Sequence, residues 1–146
     1  MLAGVRRGII GAIAALAGVL LVGTLLLGGS EEDGEDRRPI TGRDRQVADV
    51  VARLERATRL RRFDVVCDQL FTRAARTRAG GANCVRLLRS TAKDVRRPRI
   101  RLLTVQIAGN RAEARVRTLA AGQTAVEETI DFLRERGRYR IASLRG

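Results

Sequence analysis

The chain has 146 residues, with 29 basic and 16 acidic side chains, no histidine and a formal charge of +13. Without histidine, Ser-His-Asp and Cys-His catalysis and His-based metal sites are excluded, and two cysteines alone cannot complete a structural zinc site. Phe63, Phe71, Phe132 and Tyr139 are the only aromatic residues, too sparse to interleave with cations as a stacking platform, so no specific nucleic-acid partner, metal or cofactor is expected.

Arg6 and Arg7 precede an almost purely apolar run over residues 9–27. Nineteen helical residues rise about 28 Å, close to the hydrocarbon thickness of a bilayer. This is the pattern of a transmembrane signal-anchor, with residues 1–8 as a short cytoplasmic tail. The length favours an anchor over a cleaved signal, although Gly28 and Ser30 offer the small residues of a cleavage site. Residues 28–40 form an acidic linker with Glu31, Glu32, Asp33, Glu35, Asp36 and Pro39. The arginines on both sides leave orientation ambiguous by charge alone.

Residues 41–146 read as one domain. From residue 37 onward there are 27 basic and 11 acidic residues, a formal charge of +16, and Lys93 is the only lysine in the chain. Such a charge suits anionic lipid headgroups or envelope polymers. The arginines are spread through every predicted element, so a solvated basic surface accounts for them equally well.

Thr41 with Asp44 three residues on marks a helix start. Val47, Val50, Val51, Leu54, Ala57 and Leu60 or Arg61 follow at helical spacing. A second helix carries Phe63, Val66, Cys67, Leu70, Phe71 and Ala74 on one face and stops before Gly80-Gly81. Asn83 is expected to cap a third, with Cys84, Leu87, Leu88 and Thr91, which cannot run past Arg97 into Pro98.

The pattern then changes to alternation. Leu103, Val105 and Ile107 share a face, Gly109-Asn110 turns the chain, and Ala112, Ala114, Val116 and Thr118 share the next. After a turn near Ala121-Gly122, a third strand spans about 124–134 with Ile130 and Phe132 together. Gly137 leads into a last strand over 138–144 with Tyr139 and Ile141. Three helices followed by a four-stranded antiparallel sheet make an α+β domain.

Cys67 on the inner face of helix two and Cys84 at the start of helix three read as a disulfide pair, which would place the domain outside the cytoplasm. The alternative is two small buried apolar residues.

Residues 136–144, Arg-Gly-Arg-Tyr-Arg-Ile-Ala-Ser-Leu, resemble the closing hairpin of the nuclear transport factor 2-like superfamily, with Tyr139 where Trp is common. Residues 109–114 resemble the hairpin before it, and the match covers about residues 44–145. Cys67 and Cys84 are similar to the cysteine pair of small membrane-anchored actinobacterial envelope proteins in that superfamily. The resemblance implies a cone, a curved sheet wrapped around helices with an apolar pocket at its open end. It also implies two classes of function: a non-catalytic module binding an envelope protein or apolar ligand, and a ketosteroid isomerase-like or polyketide cyclase-like enzyme.

An enzyme of that type needs a carboxylate base in an apolar pocket and an oxyanion donor. Asp131 and Tyr139 on adjacent strands, with Phe132 beside them, are the candidate pocket residues, and Asp68 is a further carboxylate. Asp131 should face opposite to Ile130 and Phe132, toward solvent. The expectation is therefore a non-catalytic, membrane-anchored extracytoplasmic binding domain. An enzyme, and a basic domain for anionic lipid or envelope polymer, stand as alternatives.

Overall fold

The computed structural model describes residues 42–146. The apolar run over 9–27, the acidic linker and Thr41 lie outside the described residues. No helix among the described residues is long and apolar enough to cross a membrane.

Helix α1 (Gly42–Arg59) buries Val47, Val50, Val51, Leu54 and Ala57, one stripe at intervals of three and four. Asp44 in its first turn and Arg56 and Arg59 in its last complement the helix dipole. The stripe ends at Ala57: Leu60 is 58% exposed, and Arg61 turns left-handed at φ 55°. The N–H of Arg62 donates to the Ala57 carbonyl at 2.8 Å and that of Arg61 to the Thr58 carbonyl at 3.1 Å. These are the two bonds of a Schellman stop, with arginine where glycine is usual.

The expected second helix is broken in two. Helix α2 (Phe63–Val65) widens into a π-helical turn (Val66–Leu70), closed by a bond from the Phe71 N–H to the Val66 carbonyl at 3.0 Å. Phe71 is extended, and buried Thr72 caps helix α3 (Arg73–Arg78) by accepting from the Ala75 N–H at 3.0 Å. The break resets the helical phase, so Ala75 is buried and Ala74, expected on the inner face, is exposed. A 3₁₀ turn (Gly81–Asn83) leads to helix α4 (Cys84–Thr91). Asn83 makes no side-chain cap there: as the last residue of the 3₁₀ turn it sits at φ −91°, ψ 2°, away from the extended backbone of a capping residue. Leu87 is 44% exposed, leaving Cys84 as the buried anchor of α4. The Cys67–Cys84 disulfide ties α4 to the π-helical turn, with Cα atoms 6.1 Å apart.

Strands β1 (Arg99–Ala108), β2 (Arg111–Leu119), β3 (Val126–Glu135) and β4 (Arg138–Arg145) form one antiparallel sheet in sequence order. Ala112, Ala114 and Val116, Ile130 and Phe132, and Tyr139 and Ile141 face the helices, as the alternation predicts. Two bulges bend the sheet. One falls at Leu103 and the other at Ala142. The first moves Leu103, expected inside, to 42% exposure and turns Leu102 inward. At the free side of β4, Phe71 bridges Ile141, and the Thr72 N–H donates to the Ile141 carbonyl at 2.9 Å. The broken helix thus covers an edge that would otherwise be open.

Candidate functional site

The curved sheet and the helices enclose an apolar pocket of about 600 Å³, within the range of small-molecule sites. It lies where β1 and β3 begin and β4 ends. Leu54 and Thr58 from the last turns of α1, Phe63, Leu88 from α4 and Ala92 at its C-cap form the helical wall. Ile100, Ile141 and Leu144 form the sheet wall, and Leu144 at 44% exposure marks where the pocket meets solvent. The disulfide holds α4, and with it Leu88 and Ala92, against the rest of the domain.

Four polar side chains, Thr58, Arg78, Glu128 and Ser143, bear on this pocket. Arg78 donates to the Ala142 carbonyl, and the Ser143 hydroxyl is hydrogen-bonded to Asp131. Glu128 is half-buried and accepts from the Thr118 hydroxyl at 3.1 Å. Glu128 was not singled out from the sequence. Its signal is parity: it sits two residues before Ile130 and four before Phe132, on the inward face of β3.

Of the three predicted pocket residues, Asp131 and Phe132 line one further concavity on the sheet and Tyr139 lines another. Phe132 and Tyr139 are core residues, 1% and 3% exposed, and the Tyr139 hydroxyl lies 3.5 Å from the Gly109 carbonyl. Asp131 lies on the opposite face, as expected from its parity, and none of the three lines the apolar pocket. Arg145 bridges two carboxylates there, with its Nε 2.8 Å from Asp131 and its terminal nitrogen 2.8 Å from Glu113. Burial opposes ionisation of Asp131, but the hydrogen bonds from Arg145 and Ser143 and the charges of Arg145 and Arg111 outweigh it. The carboxyl is held below its ordinary range. Such an anion is a poor proton acceptor. Asp68 pairs with Arg76 at 3.0 Å on the surface.

These two other concavities, about 690 and 660 Å³, mix charged and apolar side chains, one with Arg111, Glu113, Asp131 and Arg145, the other with Arg53, Asp68, Arg138 and Arg140. No cluster of metal-ligating side chains occurs among the described residues.

No protein-family model matches this chain, and no curated protein matches it. Among solved structures, it is similar to a multiply substituted form of the designed protein Rd1NTF2_05, with 16% identity over 68% of this chain and 94% of that one and a TM-score of 0.52. A SEC-C motif containing protein from Rhodopseudomonas palustris gives 16% identity, coverage of 70% and 90%, and a TM-score of 0.49. The de novo designed NTF2 fold protein NT-9 gives 16% identity, coverage of 70% and 85%, and a TM-score of 0.46. The first likeness defines the class: the domain has a nuclear transport factor 2-like fold. At such identity the likeness concerns fold alone, and function rests on the site.

Proposed function

We propose that this protein is a non-catalytic binding domain, held at a membrane by the apolar run over residues 9–27 and displayed outside the cytoplasm, which takes an apolar ligand into the pocket between helices and sheet. The observation that carries the reading is the pocket itself, about 600 Å³ and lined mainly by Leu, Ile, Val, Phe and Ala side chains. The Cys67–Cys84 bond supports the extracytoplasmic placement, because such bonds persist in oxidising compartments. The polar groups at the pocket support binding over chemistry. Arg78 and Ser143 each hold a partner within the protein, and Asp131, the predicted base, does not line this pocket.

A second reading rests on one observation. Glu128 places a carboxylate on the inward face beside an apolar pocket, which is what an isomerase or cyclase base requires. It predicts turnover of an enolisable apolar ketone that is lost in Glu128→Gln.

The test is methyl-resolved NMR of the full-length protein in neutral phosphatidylcholine nanodiscs, titrated with dihexanoylphosphatidylcholine as a short-chain zwitterionic probe. Saturable shifts at Leu54, Leu88 and Ile100, abolished when Ala79→Leu fills the pocket, are expected. Unshifted methyls at these positions would dismiss the pocket as a binding site.

A further inference from the structure

Around the pocket, the fold gathers charge from distant parts of the sequence. Thr58, Phe63, Ala92 and Ile100 line the pocket, and each has a cation next to it in the chain: Arg59, Arg62, Lys93 and Arg99. The segments concerned are residues 59–64 and 93–101. Together they hold eight cations and two carboxylates. They are joined where the Arg61 guanidinium donates to the Lys93 carbonyl at 3.0 Å.

The two carboxylates are local and weak partners. Arg62 stands 3.9 Å from Asp64 and Lys93 4.0 Å from Asp94, all well exposed. Among the described residues, the other six cations of the two segments make no ion pair with a carboxylate. All eight are exposed.

Two backbone positions in this collar are unusual in the same way. Arg61 at φ 55° and Arg97 at φ 49° adopt the left-handed conformation that glycine or asparagine occupies at least cost. Arg61 sits at the Schellman position where glycine is the common choice. Arg136 is left-handed as well, at φ 50° in the turn between β3 and β4, so it is the hydrogen bond of Arg61 to Lys93, not its conformation, that ties Arg61 to this end of the domain.

Apolar groups are exposed at the same end of the domain. Leu60 lies between Arg59 and Arg61, Leu119 pairs with Arg99 across β1 and β2, and Leu144 lines the pocket. They are 58%, 47% and 44% exposed. Cations interleaved with exposed apolar side chains match a molecule that is anionic at one end and apolar at the other.

Building on the pocket reading above, we infer that the ligand is an anionic amphiphile, with its chain in the apolar pocket and its phosphate or carboxylate head against the arginine collar. The apolar lining sets the direction. The interior offers mainly Leu, Ile, Val, Phe and Ala side chains to the chain of the ligand, whereas the exposed cations of the two segments, with Arg61 held at the Lys93 carbonyl next to Ala92, keep a charged head in solvent at the rim. The acyl chain alone enters between Leu88 and Ile100.

The experiment extends the NMR titration with three probes on the full-length protein in the same nanodiscs: dihexanoylphosphatidylglycerol, dihexanoylphosphatidylcholine and glycerol phosphate. The expected result is binding of the anionic lipid at least tenfold tighter than the zwitterionic one in low salt, with the margin shrinking as salt rises. Glycerol phosphate, lacking the chain, should bind at least tenfold more weakly than the anionic lipid. The double variant Arg61→Gly and Arg97→Gly separates this from a structural role. Glycine suits both left-handed positions but the change also removes the Arg61–Lys93 hydrogen bond, so the control is the zwitterionic lipid: its affinity should hold, showing the pocket intact, while the preference for the anionic lipid falls to near unity.

Equal affinity for the two lipids would overturn the collar assignment and leave the pocket standing. Binding of neither lipid would overturn both. Glycerol phosphate binding as tightly as the anionic lipid would reduce the collar to a bare anion site and overturn the amphiphile. An unchanged preference in the double-glycine variant would remove these two arginines from the recognition.

Discussion

Reducing the Cys67–Cys84 bond should lower the stability of the domain by about 3 kcal/mol. The bond closes a loop of 17 residues, and the chain-entropy relation for a loop of that size removes on the order of 10 cal/mol/K from the unfolded ensemble, or ~3 kcal/mol at 25 °C. At roughly 4–8 °C per kcal/mol for a domain near 100 residues, the midpoint should fall by about 12 °C or more. The loss should also be uneven. Cys84 is the one fully buried residue of α4, so without the bond that helix has only partly buried Val85 and Leu88 to hold it. Hydrogen exchange in α4 should rise before exchange in β2 and β3, and with it the pocket wall built from Leu88 and Ala92 should loosen. Calorimetry of the full-length protein with and without reductant reads the first effect, and amide exchange reads the second. A midpoint that moves by less than about 3 °C with both thiols demonstrably free would refute the loop-closure reasoning. Uniform exchange across α4 and the sheet would refute the claim that α4 depends on the bond.

Two further predictions concern the sheet. The bulge at Leu103 makes neighbouring leucines unequal: Leu102→Lys should cost about 1–3 kcal/mol, whereas Leu103→Lys should stay within about 0.5 kcal/mol, and urea midpoints compare them directly. On the outer face, the Asp131 carboxyl has its pKa depressed by folding, so its contribution is present above the unfolded value of about 3.9 and is lost as pH falls through the folded value. Asp131→Asn should therefore be less stable than the parent at pH 7, and the gap should close in acid. A stability difference that persists unchanged to pH 2 would contradict the Arg145–Asp131 assignment.

The parts of this fold that were legible in sequence are those where one face is buried and the other wet. Ala112, Ala114 and Val116 alternate with arginines and a glutamate, and Ile130 and Phe132 with charged neighbours, so a period of two could be read directly. The stripe of α1 was legible for the same reason at a period near 3.6. Where two phases competed, the pattern misled. Leu102 and Leu103 are adjacent, and only the bulge decides which one faces inward. The spacing from Phe63 to Ala74 fits one helix, but Thr72 caps a new one, and the intervening extended residues join the edge of β4. That gain is tertiary and outweighs local helical periodicity. Thr72 ahead of an arginine-alanine run was the available signal.

The arginines show why a site can be harder to read than a fold. Along the chain they look evenly dispersed, and dispersion argues for a solvated surface. Residues 59–64 and 93–101 are some thirty positions apart, and the two segments meet where α1 ends at Arg59 with Arg61 left-handed and Arg61 reaches the Lys93 carbonyl. The same two stretches hold Phe63 and Ile100, whose side chains face the pocket while their charged neighbours stay in solvent. Period-two and period-3.6 patterns describe which face of an element is buried. They carry no information about which element ends come together, and the collar is built entirely from element ends.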